Sequence, residues 1–228
     1  MDAYRVIEVK KSVFADNDAD AAQLRQELSA RGTHLINLMA SPGAGKTTLL
    51  VHLLPLLQAQ LRVGIMEADI DSDVDAGTIS RTGTPVIQLH TGGMCHLDAD
   101  MTRQGIRQLD AQQLDLVILE NVGNLVCPAE FDTGAHTNLM ILSVPEGHDK
   151  PLKYPLIFQK CDAMVVSKLD VLPYFDFDLD HLTQYARLRN PDIQIFPVSA
   201  KTGEGLPALA DWLIARTKQK REKEGDAT

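Results

Sequence analysis

The stretch Ala40-Ser41-Pro42-Gly43-Ala44-Gly45-Lys46-Thr47-Thr48 constrains this chain more than any other, because a glycine-rich turn ending in Gly-Lys-Thr serves to hold nucleotide phosphates. Residues 35–39 form an apolar run that reads as a buried strand, and residues 47–60 carry a leucine-rich helical pattern. The motif therefore sits in the strand, loop, helix setting it requires. Glycine at 43 and 45 lets the backbone approach an anion with successive N–H groups turned inward, and the following helix adds the positive end of its dipole. Gly43, Ala44, Gly45, Lys46, Thr47 and Thr48 are expected to line the phosphates. Lys46 supplies a point charge and Thr47 a hydroxyl for magnesium. Ala40 stands where the motif usually begins with glycine, and Gly43 is expected to take over part of the turn.

The rest of the chain supplies a matching framework. Residues 19–31 read as a helix stopped by Gly32, with an acidic start at Asp16, Asn17 and Asp18. Residues 61–66, 85–89, 114–119, 138–144, 163–166 and 193–198 are short apolar runs with strand character. Helical patterns lie between or after them, at 96–109, 179–188 and 206–220, and Pro55 is expected to interrupt the helix behind the phosphate loop. Strands alternating with helices predict an α/β fold, a doubly wound, mostly parallel sheet with helices on both faces and ligands at the carboxyl ends of the strands. The organisation expected is an N-terminal appendage with a helix over 1–32, a P-loop domain over 33–217 and a charged tail over 218–228 that frays.

Composition narrows the partners. The 228 residues are 44% hydrophobic, enough for one domain with a full core. A net charge of −9 argues against nucleic acid and anionic membranes, since nothing offsets phosphate repulsion. No run reaches the ~20 apolar residues of a membrane span. Three cysteines, Cys95, Cys127 and Cys161, are an odd number that does not suit a disulfide framework, and a cytoplasmic setting is expected.

The base is read from Ser167-Lys168-Leu169-Asp170 and Ser199-Ala200-Lys201, each just beyond a strand. A carboxylate at Asp170 can accept from the ring N–H and the exocyclic amine of guanine, a pair that adenine does not offer, while Lys168 packs on the ring. Guanine nucleotides, GTP and GDP, are therefore expected, although Ser167 stands where asparagine is usual. Asp69, in an acid cluster with Glu67, Asp71, Asp73 and Asp75, is expected to join Thr47 on magnesium, with Asp75 in the segment that senses the γ-phosphate. Glu120 ends an apolar strand, and Glu120-Asn121-Val122-Gly123 has the form of an acid-x-x-Gly switch. Lys46, Asp69, Asp75 and Glu120 are thus the candidate catalytic residues. No arginine is poised at the phosphates, so hydrolysis is expected to be slow.

Cys95, His96 and Cys127 follow separate strands, and Cys127 lies seven residues beyond Glu120. Two thiolates and an imidazole suit nickel or zinc. A fourth ligand would come from water, from Asp98 or from a symmetric partner chain. Cys161 reads as a buried apolar residue.

Three segments carry a resemblance: Gly92-Gly93-Met94-Cys95-His96-Leu97, Glu120-Asn121-Val122-Gly123-Asn124-Leu125-Val126-Cys127-Pro128, and Asp149-Lys150-Pro151-Leu152-Lys153-Tyr154-Pro155. With these the chain resembles the HypB family, GTPases of nickel insertion in [NiFe]-hydrogenase maturation, from about residue 35 to residue 213. The resemblance implies a P-loop fold of the SIMIBI class shared with signal-recognition and urease-accessory GTPases. It also implies a GTP-dependent homodimer with Cys95, His96 and Cys127 holding metal at the interface, and Lys153 is a candidate to cross that interface. The partners implied are a small nickel chaperone and the hydrogenase large subunit. Met1-Asp2-Ala3-Tyr4-Arg5 has neither a cysteine-rich motif nor a histidine run, so no separate N-terminal metal site is expected. The alternatives are a urease-accessory-type nickel GTPase, or a nucleotide-binding scaffold with negligible turnover.

Overall fold

Strand β2 (His34–Ala40) is buried at all seven positions, as the apolar run ahead of the phosphate loop requires, and it lies inside a parallel sheet with neighbours on both sides. The structure, a computed structural model, describes residues 5–8, 17–70, 73–109 and 113–225, with backbone alone at 5–8 and 221–225. The sequence readings at Asp16 and Asp71, and those ahead of Arg5, fall outside these residues. The other strands are β1 (Arg5–Glu8), β3 (Val63–Asp69), β4 (Val86–His90), β5 (Leu116–Glu120), β6 (Thr137–Ser143), β7 (Ala163–Ser167) and β8 (Gln194–Pro197). Their order is β1-β4-β3-β5-β2-β6-β7-β8, and every pairing is parallel. After β2 the chain builds one half of the sheet, then crosses to the other half at β6, so the loops beyond β2, β5 and β6 open onto the reversal point where such sheets bind ligands.

The helices are α1 (Asn17–Ala30), α2 (Lys46–Gln58), α3 (Val74–Ser80), α4 (Ala99–Leu109), α5 (Cys127–Glu130), α6 (Lys150–Lys153), α7 (Pro155–Lys160), α8 (Leu179–Arg189) and α9 (Leu206–Gly225). Alternate residues of each strand point to opposite faces. Ile36 and Leu38 of β2 join Leu50, Leu54, Leu209 and Leu213 of α2 and α9. Leu35 of the same strand joins Leu24, Leu28, Met101 and Ile106 of α1 and α4, while Met39 joins Phe158 and Leu182 of α7 and α8. Helix α1 thus contributes to the core of the sheet, and α9 continues through the charged stretch to Gly225.

Two local expectations are corrected. Pro55 lies inside α2 and does not interrupt it. The ring is on the solvent side while Leu50, Leu53, Leu54 and Leu57 are buried, and that burial outweighs the ~3 kcal/mol that an internal proline costs. Helix α4 begins at Ala99 rather than His96, because Asp98 Oδ1 accepts from Met101 N at 2.9 Å and so stands as the helix cap.

His34 opens β2 with a neutral ring. Its Nδ1 lies 3.0 Å from Thr217 Oγ1 and its Nε2 2.9 Å from Thr137 Oγ1, which pins α9 to β2 and β6. Burial first, then the neighbouring His136 and the cations Arg216 and Lys220, push its pKa from 6.5 down to about 3. In the unfolded chain the ring takes a proton near pH 6.5, whereas in the fold it resists doing so until about pH 3. The stabilisation is therefore complete above pH 6.5 and drains away as the pH falls through that window. His34→Gln is expected to flatten the acid loss of stability between pH 6.5 and 4 by on the order of 3 kcal/mol, measured by urea unfolding across pH. An unchanged slope would contradict this role.

Candidate functional site

The phosphate loop leaves β2 at Ala40 and enters α2 at Lys46. Ala40 still pairs with Ile141 of β6, so the chain there is extended and needs no glycine. The turn itself uses Gly43 at φ 75° and Gly45 at φ 94°, left-handed conformations that glycine adopts without strain. Thr47 and Thr48 occupy the first turn of α2, where the free N–H groups and the dipole favour an anion. The Lys46 ammonium lies 3.5 Å from Glu120 Oε1, with both groups largely shielded from solvent.

Beside the loop, the parallel register sets Glu67 of β3 directly opposite Glu120 of β5. With Asp75, in the first turn of α3, they form a group whose ligand atoms all lie within 4.8 Å of one another. Burial pushes both glutamates above the usual carboxylate range, Glu67 further through its proximity to Glu120. Among the described residues no hydrogen-bond donor reaches Glu67 Oε2 or either Glu120 oxygen, and Lys46 stands off Glu120 at ion-pair distance. Facing carboxyls of this kind need a shared proton or a cation between them, and an all-oxygen set suits magnesium. Asp69 ends β3 outside this group and its carbonyl receives Thr91 N at 3.1 Å. Glu67 was visible in the sequence as a member of the acid cluster after the run 61–66, though spacing alone did not give it a role.

On the other flank, Ser167 ends β7, and Lys168 and Asp170 follow it. Ser167 Oγ donates to the Ala44 carbonyl at 2.7 Å and Lys168 Nζ to the Gly43 carbonyl at 2.7 Å, so this segment is tied to the phosphate loop. Ser167 thereby supplies a side-chain donor at the position where asparagine is usual. Lys168 has φ 60°, a left-handed backbone. Ser199 Oγ donates to Asp170 Oδ1 at 2.7 Å, orienting the carboxylate, and Ala200 and Lys201 continue that loop, with Lys201 exposed.

Cys95 and His96 lie between β4 and α4, and Cys127 opens α5. Cys95 and Cys127 are half-buried, and proximity to the Cys127 thiol, then burial, push the Cys95 thiol above its usual range. Cys95 Sγ is 3.8 Å from His96 Nδ1. The His96 ring is stacked on Phe131, centroids 3.5 Å apart and 10° from parallel, a contact with no sequence signal. Among the described residues these three do not form a group with all ligand atoms within 4.8 Å of one another, as the carboxylates do. Asp98 is engaged in capping α4, and Cys161 is fully buried.

One loop joins the two centres. Asn121 Nδ2 donates to Asn37 Oδ1 at 3.0 Å in the middle of β2, and Gly123 abuts the phosphate loop so closely that a Cβ there would sit 3.2 Å from Pro42 N. Asn124 Oδ1 then receives Val126 N at 2.7 Å and Cys127 N at 3.3 Å. The backbone from Glu120 to Cys127 is held along its length.

This fold and site define a P-loop nucleotide-binding protein, and residues 34–197 match the family described as CobW/HypB/UreG, nucleotide-binding domain. Hydrogenase maturation factor HypB of Azotobacter chroococcum is 44% identical over 209 residues, 92% of this chain and 68% of that one. The crystal structure of HypB from Helicobacter pylori in complex with nickel superposes with a TM-score of 0.86 at 34% identity, covering 91% of this chain and 97% of that one. HypB from Archaeoglobus fulgidus gives 0.83 at 32% identity, covering 90% and 100%. The chain belongs to the HypB family of hydrogenase maturation factors. No helix among the described residues is long and apolar enough to cross a membrane.

Ser167→Ala removes the hydroxyl that anchors the Ala44 carbonyl. Nucleotide affinity, read by fluorescence titration, is expected to fall about tenfold, the worth of one buried hydrogen bond. Wild-type affinity in the variant would show the tether to be idle.

Proposed function

We propose that this chain is a GTP-hydrolysing metallochaperone that hands nickel onward during [NiFe]-hydrogenase maturation. The observation that carries the reading is the loop from Glu120 to Cys127, packed at Gly123 on the phosphate loop and ending at the Cys127 thiol, whose amide is held by Asn124. The family relationship supports it, as does the nickel complex of the Helicobacter pylori relative.

In this reading Gly43, Ala44, Gly45, Lys46, Thr47 and Thr48 hold the phosphates, and Asp170, oriented by Ser199, accepts from the guanine edge. Lys168, Ala200 and Lys201 border the base. Thr47 and the carboxylates Glu67, Asp75 and Glu120 would hold magnesium, with Asp69 nearby at the end of β3. The ion would neutralise phosphate charge during transfer. Glu120 keeps Lys46 placed, Gly123 senses the γ-phosphate through Pro42, and turnover is slow because no arginine among the described residues is supplied at the phosphates.

Nickel is the cargo, with zinc able to use the same donors. Cys95, His96 and Cys127 give at most three ligands per chain, so a symmetric homodimer formed with GTP would complete the coordination. The small nickel chaperone and the hydrogenase large subunit are the proposed donor and recipient, in the cytoplasm. Lys153, a candidate interface residue, is ion-paired with Asp149 of its own chain and would have to exchange that partner on association.

Phosphate release and equilibrium dialysis against Ni2+ test this. Expected are release from GTP but not ATP, abolished in Lys46→Ala, and nickel binding lost in Cys127→Ala. Negligible release would leave a nucleotide-dependent scaffold, and nickel binding indifferent to Cys127 would remove the chaperone reading.

A further inference from the structure

We propose that Asn17, at the start of α1, is the positioning residue that sets how far apart the two halves of the thiol centre stand. Its side chain is 7% exposed and uses both ends of its amide. Nδ2 donates to the Asp132 carbonyl at 3.1 Å, and Oδ1 accepts from Ala99 N at 3.0 Å. Ala99 lies three residues beyond His96, and Asp132 five beyond Cys127. A single planar amide thus spans the segment behind Cys95 and His96 and the segment behind Cys127.

The bridge is stiffened from the same helix. Arg25 grips Asp132 with two bonds of 2.7 and 2.8 Å from Nη2 and donates through Nε to the Ala135 carbonyl at 2.8 Å. Asp132 Oδ1 also receives Gly134 N at 2.9 Å, closing the turn that follows. Phe131, next to Asp132, carries the stack on His96. Residues 131–135 are therefore held against α1 on one side and present an aromatic face to a candidate ligand on the other. Helix α1 itself is fixed by Leu24 and Leu28 in the core, so the amide is mounted on a rigid element. Rigid support of this kind keeps a multi-ligand site at its working spacing.

The inference rests on the reading of Cys95, His96 and Cys127 as metal ligands, and the test separates the two. Asn17→Asp keeps the acceptor for Ala99 N but loses the donor to Asp132, and Asn17→Ala loses both. One readout needs no metal: the equilibrium in a glutathione buffer between the Cys95–Cys127 dithiol and its disulfide, in which one glutathione disulfide yields two reduced glutathiones. Cys161 is buried and stays out of this exchange. The second readout is Ni2+ affinity, with the thiolate-to-metal absorption of Co2+ as a probe of geometry.

Both variants are expected to shift the dithiol equilibrium away from the disulfide by about tenfold and to weaken Ni2+ by a similar factor, with GDP affinity in metal-free protein unchanged. Asn17→Asp, which retains the Ala99 bond, guards against a folding defect in the alanine variant. A shifted dithiol equilibrium in a protein that binds no Ni2+ through Cys95 would uphold the positioning and sink the metal reading. Wild-type disulfide equilibrium and wild-type Ni2+ affinity in both variants would overturn the proposal.

Discussion

Cys127 lies seven residues beyond Glu120, and the rest of the site depends on how that short segment is pinned. At one end Glu120 is buried against Lys46 and Glu67. In the middle Asn121 is bonded to Asn37 and Gly123 touches Pro42, and at the other end Asn124 holds the amide of Cys127. A segment this short spans at most about 25 Å even when fully extended, and several fixed points along it leave little slack.

The sheet makes this arrangement possible. Because β5 lies between β2 and β3, the carboxyl ends of three adjacent strands deliver the phosphate loop, Glu67 and Glu120 to one place. Two carboxyls buried together are costly unless a proton or a cation sits between them, so the cluster is stable only in company. The base-reading segment is drawn to the same place from β7 by Ser167 and Lys168, each bonded to a carbonyl of the phosphate loop. The segments beyond β5 and β7 thus both lean on the phosphate loop, one at Pro42 and the other at the carbonyls of Gly43 and Ala44.

Much of this was legible in the sequence. Apolar runs bounded by glycine and acid marked the strands that carry the fold, since strands covered on both faces are continuous in hydrophobicity. The turn at Gly43 and Gly45 announced itself because those φ values exclude most other residues. What escaped was decided by tertiary packing. Glu67 outranks Asp69 in the carboxylate group only because the parallel register sets it opposite Glu120, and register is not written in the strand itself. Asp98 offered a plausible ligand until its bond to Met101 N made it a cap. Pro55 promised a break that buried leucines overrode. Phe131 gave no signal and Asn17 showed only as part of a helix start, since a ring stack and an amide bridge between segments about 80 and 115 residues away exist only once the chain has folded.

In the proposed function, nucleotide state reaches the thiols through the Glu120 to Cys127 loop, and this coupling has a direct readout. It is tested most directly by measuring Ni2+ affinity and molecular mass of the same protein, loaded with GDP and then with a non-hydrolysable GTP analogue. The account predicts a dimer with the analogue and a nickel affinity that differs from the GDP form by tenfold or more, the size of an ordinary allosteric coupling. Equal affinity in both states, with no change of mass, would mean that the two centres share a loop without sharing free energy.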